Sequence, residues 1–180
     1  MPLNLASIRI VAAGVTVAAG IGAAVLAGTP ALGAGGSAAG CTADRLSAQM
    51  IHIAGSDAAG STGFDLKISN HGGGACLVGS HPELSLLGSG SKPIPTHVKP
   101  VGRTSHVPIR PGKTVVARLR FSPDVPGPGE PQHGRCEPVA HHVKVRLTDS
   151  AHGSLVGPIQ PPTSVCEHGS IEEHGLMPQP

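Results

Sequence analysis

The chain has no tryptophan, no tyrosine and two phenylalanines in 180 residues. A core with so few rings must be built from Val, Leu, Ile and Ala. The missing Trp and Tyr also count against a sugar-binding groove, because rings are the usual stacking platform. Charge is scarce: 13% of residues are charged and the formal net charge is +2. No clustered basic excess marks a nucleic-acid binder. There is no Gly-x-Ser-x-Gly elbow, no His-Glu-x-x-His and no phosphate-binding Gly-rich loop, so no catalytic site is expected. No Cys-x-x-Cys pair is present, which leaves redox-motif and zinc-knuckle readings without support.

Glycine and proline are plentiful, at 26 and 18 residues. That composition fits short strands and many turns better than helices. The length predicts one domain. Residues 1–34 have the layout of a secretory signal peptide. Arg9 is their only charge, an uncharged Ala- and Gly-rich run covers 10–28, and Pro30 stops it. Ala31 and Gly33, or Leu32 and Ala34, supply small residues for cleavage. An uncleaved anchor is one alternative, and it would be the chain's only tie to a membrane. A lipid-modified Cys41 after Ala38–Gly40 is the other. Residues 35–40, GGSAAG, are expected to be a flexible leader.

The four cysteines, Cys41, Cys76, Cys136 and Cys166, all follow the leader. In an exported chain an even count points to disulfides, because the compartment is oxidising. Three connectivities are open. Local pairing, Cys41–Cys76 and Cys136–Cys166, closes two loops of similar size and is the expected one. Each bridge is worth about 3–4 kcal/mol on a loop-entropy model.

Period-two alternation begins at Leu46. Strands are predicted over 46–53, 64–69, 83–87, 106–109, 114–121 and 142–148. In the clearest of them, TVVARLRF, residues Val115, Ala117, Leu119 and Phe121 should face inward and Val116, Arg118 and Arg120 outward. Val143, Val145 and Leu147 form a second inner face. Pro111-Gly112 reads as a tight turn. Residues 122–135 are too rich in Pro and Gly for regular structure. After residue 40 no segment has a convincing helical period. The reading is an all-β antiparallel β-sandwich over 41–175, with 176–180 as a frayed tail.

The stretch LKISNHGGGACLVGSHPELSLL (66–87) carries a family likeness. A cysteine opens the domain at Cys41, and a strand ends at Asn70 before Gly72–Gly74. A second cysteine follows in CLVG, a His81-Pro82 corner precedes a strand, and RPGK (110–113) leads into the long central strand. Cys136 and Cys166 complete the set. This pattern resembles the secreted actinobacterial family of the domain of unknown function four-two-three-two. Two positions depart from it: the corner usually has Tyr where His81 stands, and the strand after Pro-Gly often ends in Trp where Phe121 stands. The resemblance implies an immunoglobulin-like sandwich and no particular activity. It also accounts for the glycines, which are expected to take positive φ and let Cys76 reach Cys41.

Two candidate sites remain. Arg118, Arg120, Lys144 and Arg146 all point outward; on neighbouring strands they would form one cationic patch for an anionic envelope polymer or another envelope protein. The eleven histidines raise the alternative of an exported metal-binding protein. His141 and His142 are adjacent but should lie on opposite faces. Cys166, His168, Glu172 and His174 lie close in sequence, though Cys166 is expected in a disulfide. His52, His71, His81, His97, His106, His133 and His152 are scattered. Glu172-Glu173 reads as exposed, solubilising charge. No metal, cofactor or nucleic acid is therefore expected. The chain reads as a secreted, disulfide-stapled module that binds or scaffolds in the cell envelope.

Overall fold

The computed structural model describes residues 39–149 and 151–179. The expected signal segment, 1–34, and the start of the leader lie outside the described residues. The described chain is all-β and sandwich-like. Its strands are β1 (Leu46–His52), β2 (Thr62–Asn70), β3 (Cys76–Gly79), β4 (Glu83–Leu87), β5 (Pro93–Ile94) and β6 (His97–Val101). There follow β7 (His106–Ile109), β8 (Thr114–Phe121), β9 (Ala140–Arg146), β10 (Ser154–Thr163) and β11 (Ser170–Pro178). Nine of them form one curled sheet in the order β5-β4-β9-β10-β1-β2-β8-β11-β6, and β3 pairs with β7 in a second small sheet. No helix among the described residues is long and apolar enough to cross a membrane.

Alternation places the core. On β8, Val115, Ala117, Leu119 and Phe121 are buried, while Arg118 and Arg120 are exposed. They pair in register with Ile68, Leu66, Phe64 and Thr62 of β2. Val143, Val145 and Leu147 are buried on the same core, together with Met50, Ile159 and Ile171. The two phenylalanines stack with ring centroids 5.2 Å apart. The core is therefore aliphatic around one aromatic pair, as the composition required.

Three expectations need correction. The sandwich is not wholly antiparallel: β1 runs parallel to β10, and β11 parallel to β6. Residues 176–178 do not fray, because β11 extends to Pro178, Leu176 is buried, and the Gln179 N–H donates to the Thr114 carbonyl. The leader is also ordered at its end, where Leu77 N–H donates to Ala39 and Cys41 N–H donates to Leu77.

Strand β10 was not predicted, since SLVGPIQPPT carries three prolines that each lack a ladder donor. The structure accommodates them with a register shift against β9 between Pro158 and Thr163. Gly157 serves the same strand: a Cβ there would sit 1.9 Å from the Ala48 carbonyl oxygen, so the β1–β10 approach requires glycine.

Candidate functional site

Both expected disulfides are formed. Cys41 bonds Cys76 with Cα atoms 4.9 Å apart, and Cys136 bonds Cys166 at 5.5 Å. The glycines before Cys76 play a different part from the one expected. Gly72, Gly73 and Gly74 are absent from the positive-φ residues. The turn is organised instead by the buried Asn70 side chain. Its Nδ2 donates to the carbonyls of Gly74 and Ile109, both at 2.9 Å, and its Oδ1 accepts from Gly72 N–H at 2.8 Å. Gly72 lies close to this group, where a Cβ would sit 2.9 Å from Arg45 Cδ and 3.1 Å from Asn70 Oδ1.

The four-cation patch does not assemble. Strands β8 and β9 are separated by β10, β1 and β2, so Arg118 and Arg120 lie apart from Lys144 and Arg146. Alternation fixes the face a residue takes but not which strands are neighbours. Most of these cations have a local acid. Arg118 lies 3.7 Å from Asp65, and Arg146 forms an ion pair with Glu83. Arg120 stands opposite Glu172 and donates to Ser61 Oγ at 2.7 Å. Lys99, Arg120, Glu167 and Glu172 line a cleft of about 260 Å³.

The histidine and acid readings divide. His141 and His142 point apart as expected, His141 half-buried near Ser89 and His142 exposed. Glu172 is exposed, but Glu173 corrects the expectation of a solubilising pair, for its side chain is 0% exposed. Glu173 Oε2 lies 2.6 Å from His81 Nδ1. Burial pushes its carboxyl above the ordinary value of 4.5, more than the hydrogen bond and charge of His81 pull it down. The inward turn of Glu173 was legible from strand alternation after Ile171.

A second buried carboxylate site lies where sequence periodicity is silent. Glu130 sits in the Pro- and Gly-rich loop between β8 and β9, its side chain 2% exposed. Its Oε2 accepts N–H donors from Gly127 at 2.6 Å and Glu167 at 2.9 Å, and its Oε1 accepts from His168 N–H. Successive N–H groups of Glu167 and His168 converge because both residues take left-handed φ, 55° and 57°. Gly169 continues that turn at φ 78°, where a Cβ would also lie 1.9 Å from the Pro95 carbonyl oxygen. Such successive N–H groups form an anion-binding concavity. Here Glu130 fills it.

The disulfide builds this site. Cys136 precedes Glu137, and His168 follows Cys166 by two, so the Cys136–Cys166 bond delivers both side chains to Glu130. His168 Nδ1 lies 3.6 Å from Glu130 Oε1 and 3.8 Å from Glu137 Oε1. Burial opposes ionisation of Glu130, yet the backbone donors of His168, Gly127 and Glu167 outweigh it and hold the carboxyl below its ordinary range. Glu137 moves the other way: burial first, then the negative charge of Glu130, raise it. The expected grouping of Cys166, His168, Glu172 and His174 is thus dispersed. Cys166 is in the disulfide, Glu172 and His174 lie beside Arg120 and Arg118 on the sheet, and only His168 enters the acid site.

Fold and bridges together define a disulfide-stapled all-β module. The family model for the domain of unknown function DUF4232 matches residues 41–172, and the chain belongs to that family. No curated protein and no solved structure matches it.

Proposed function

We propose that this chain is an exported, non-catalytic module of an actinobacterial cell envelope that binds or scaffolds another envelope protein. The observation that carries the reading is the pair of disulfides, which close loops of 35 and 30 residues in the two halves of the domain. Such bridges persist where the surroundings are oxidising. The surface favours a protein partner over an anionic polymer. A polyanion is held best by a run of uncompensated cations. Here Arg118, Arg120 and Arg146 each stand beside a carboxylate. A face of mixed sign matches a complementary face of mixed sign on another protein, where it sets register and specificity.

The test is expression of the full chain in an actinobacterial host. The expected product lies outside the cytoplasm, begins between residues 32 and 41, and has no free thiol. Cytoplasmic retention with reduced cysteines overturns the export reading. A photo-crosslinking residue at position 118 should then give a discrete protein adduct in intact cells. An adduct with wall polymer alone overturns the choice of partner.

A further inference from the structure

We infer that Glu130, Glu137 and His168 form a binding site for one divalent transition-metal ion of the zinc class. The His168 ring sets the geometry. Its Nε2 lies 3.0 Å from the Pro128 carbonyl oxygen. A carbonyl can only accept, so Nε2 carries the proton and donates. In the neutral ring, Nδ1 is then a bare lone pair. That lone pair faces two carboxylate oxygens, and the three donor atoms lie within 4.8 Å of one another. Three electron-rich atoms turned toward one point, two of them on nearly buried acids, are stabilised by positive charge between them, which an ion or a proton can supply.

Ion geometry fits that charge. Zinc binds imidazole nitrogen and carboxylate oxygen at about 2.0–2.2 Å, which places tetrahedral ligands roughly 3.3–3.6 Å apart. The Nδ1 separations from Glu130 and Glu137, 3.6 and 3.8 Å, are within a few tenths of an ångström of that spacing. An imidazole among the donors favours Zn²⁺, Cu²⁺ or Ni²⁺ over Ca²⁺ or Mg²⁺. The Pro128 carbonyl fixes the ring as outer partners fix metal-ligating histidines. Glu130 also retains capacity. A carboxylate has about four acceptor positions. The N–H donors of Gly127, Glu167 and His168 take three, leaving one on Oε1. The site is open from one side, since the His168 side chain is 53% exposed while Glu137 and Glu130 are 12% and 2% exposed. An ion would enter past His168, with water as its fourth ligand.

The experiment uses the untagged secreted protein with both disulfides intact. Zn²⁺ is titrated calorimetrically after chelation and dialysis, with Ca²⁺ as a parallel arm. The expected result is one Zn²⁺ per chain, with affinity lowered roughly tenfold or more in His168→Ala and in Glu137→Gln. The double variant His141→Ala/His142→Ala should bind as the parent does. His168 is half-exposed, so its variant should stay folded with a cooperative melt in chelator, and that measurement separates lost binding from lost folding. Absence of stoichiometric Zn²⁺ binding overturns the inference and leaves protons as the compensating charge. Binding unchanged in His168→Ala, or Ca²⁺ preferred over Zn²⁺, overturns it equally. None of these outcomes depends on the envelope partner.

Discussion

Glu130 and Glu173 are both buried carboxyl groups, with side chains 2% and 0% exposed, yet their surroundings push them in opposite directions. Glu130 is held ionised by three backbone donors, and Glu173 is driven toward the neutral form. Burial sets the penalty for charge, and the supply of donors decides whether it is met. The two sites differ in supply because of where they lie. Glu130 occupies a loop beside a left-handed turn, whose N–H groups are free to point inward. Glu173 lies on β11, between β8 and β6, where backbone groups are engaged in the ladders. It depends on His81 for its one partner, and its Oε1 accepts nothing from the described residues. Irregular chain is thus the better host for a buried charge in this molecule, and regular chain the poorer one.

The strongest way to break the contrast is to cut the bridge behind Glu130. Loop closures of 35 and 30 residues enter a logarithm. The two disulfides should therefore contribute nearly equal entropic terms, about 4 kcal/mol each and differing by roughly 0.1. Replacing Cys136 and Cys166 by Ala should nevertheless cost more than replacing Cys41 and Cys76, because it also releases Glu137 and His168 from the acid site. Urea denaturation of both double variants measures the difference. Equal losses would mean that the Glu130 site stands without its staple.

Removing the carboxylates themselves comes next in size. Glu130→Ala leaves three inward N–H groups without an acceptor and should cost about 3 kcal/mol. Glu173→Gln removes the carboxyl that burial opposes while keeping a hydrogen-bond partner for His81, and should cost less than Glu130→Ala by about 1 kcal/mol or more. The pH profile sharpens this. Glu173 has a raised folded pKa, so its contribution is fully present below its ordinary value of 4.5 and is lost as pH rises through the folded value. The hydrogen bond from His81 opposes the shift, as do the charges of His81 and His174 when those rings are protonated. The parent should therefore lose stability from pH 4.5 upward more steeply than Glu173→Gln. Parallel profiles, measured by thermal melting, would show that Glu173 does not ionise in this range.

Legibility in the sequence follows the same division between regular and irregular chain. Strands β2, β4, β7 and β8 were legible because buried residues such as Leu66, Leu86, Val107 and Leu119 recur at period two with less buried residues between them. The disulfide pairing was legible because local closure gave two similar loops. Strand β10 was hidden by Pro158, Pro161 and Pro162, which lack the donor that a strand uses. The Glu130 site was hidden because periodicity has nothing to say about a loop of Pro and Gly. One signal was present and unused: a disulfide brings its sequence neighbours together, so Glu137 and His168 were candidates once Cys136–Cys166 was favoured. The cationic patch failed for a different reason. Alternation gives a side chain its face, whereas strand order is a long-range property that crossovers decide.

That failure supplies the smallest and cleanest effect to measure. From β8 to β9 there are four interstrand steps, through β2, β1 and β10. At about 4.8 Å per step the two cation pairs lie about 19 Å apart along the sheet. This is more than twice the screening length of about 8 Å at physiological salt. Arg118→Ala and Lys144→Ala should each change stability by less than about 0.5 kcal/mol, as exposed charges do. Their effects on weak binding to a soluble polyanion should add, since distant sites without shared partners do not couple. A double-variant cycle with dextran sulfate as the probe reads this directly. Coupling beyond about 0.5 kcal/mol would restore a single patch and contradict the strand order.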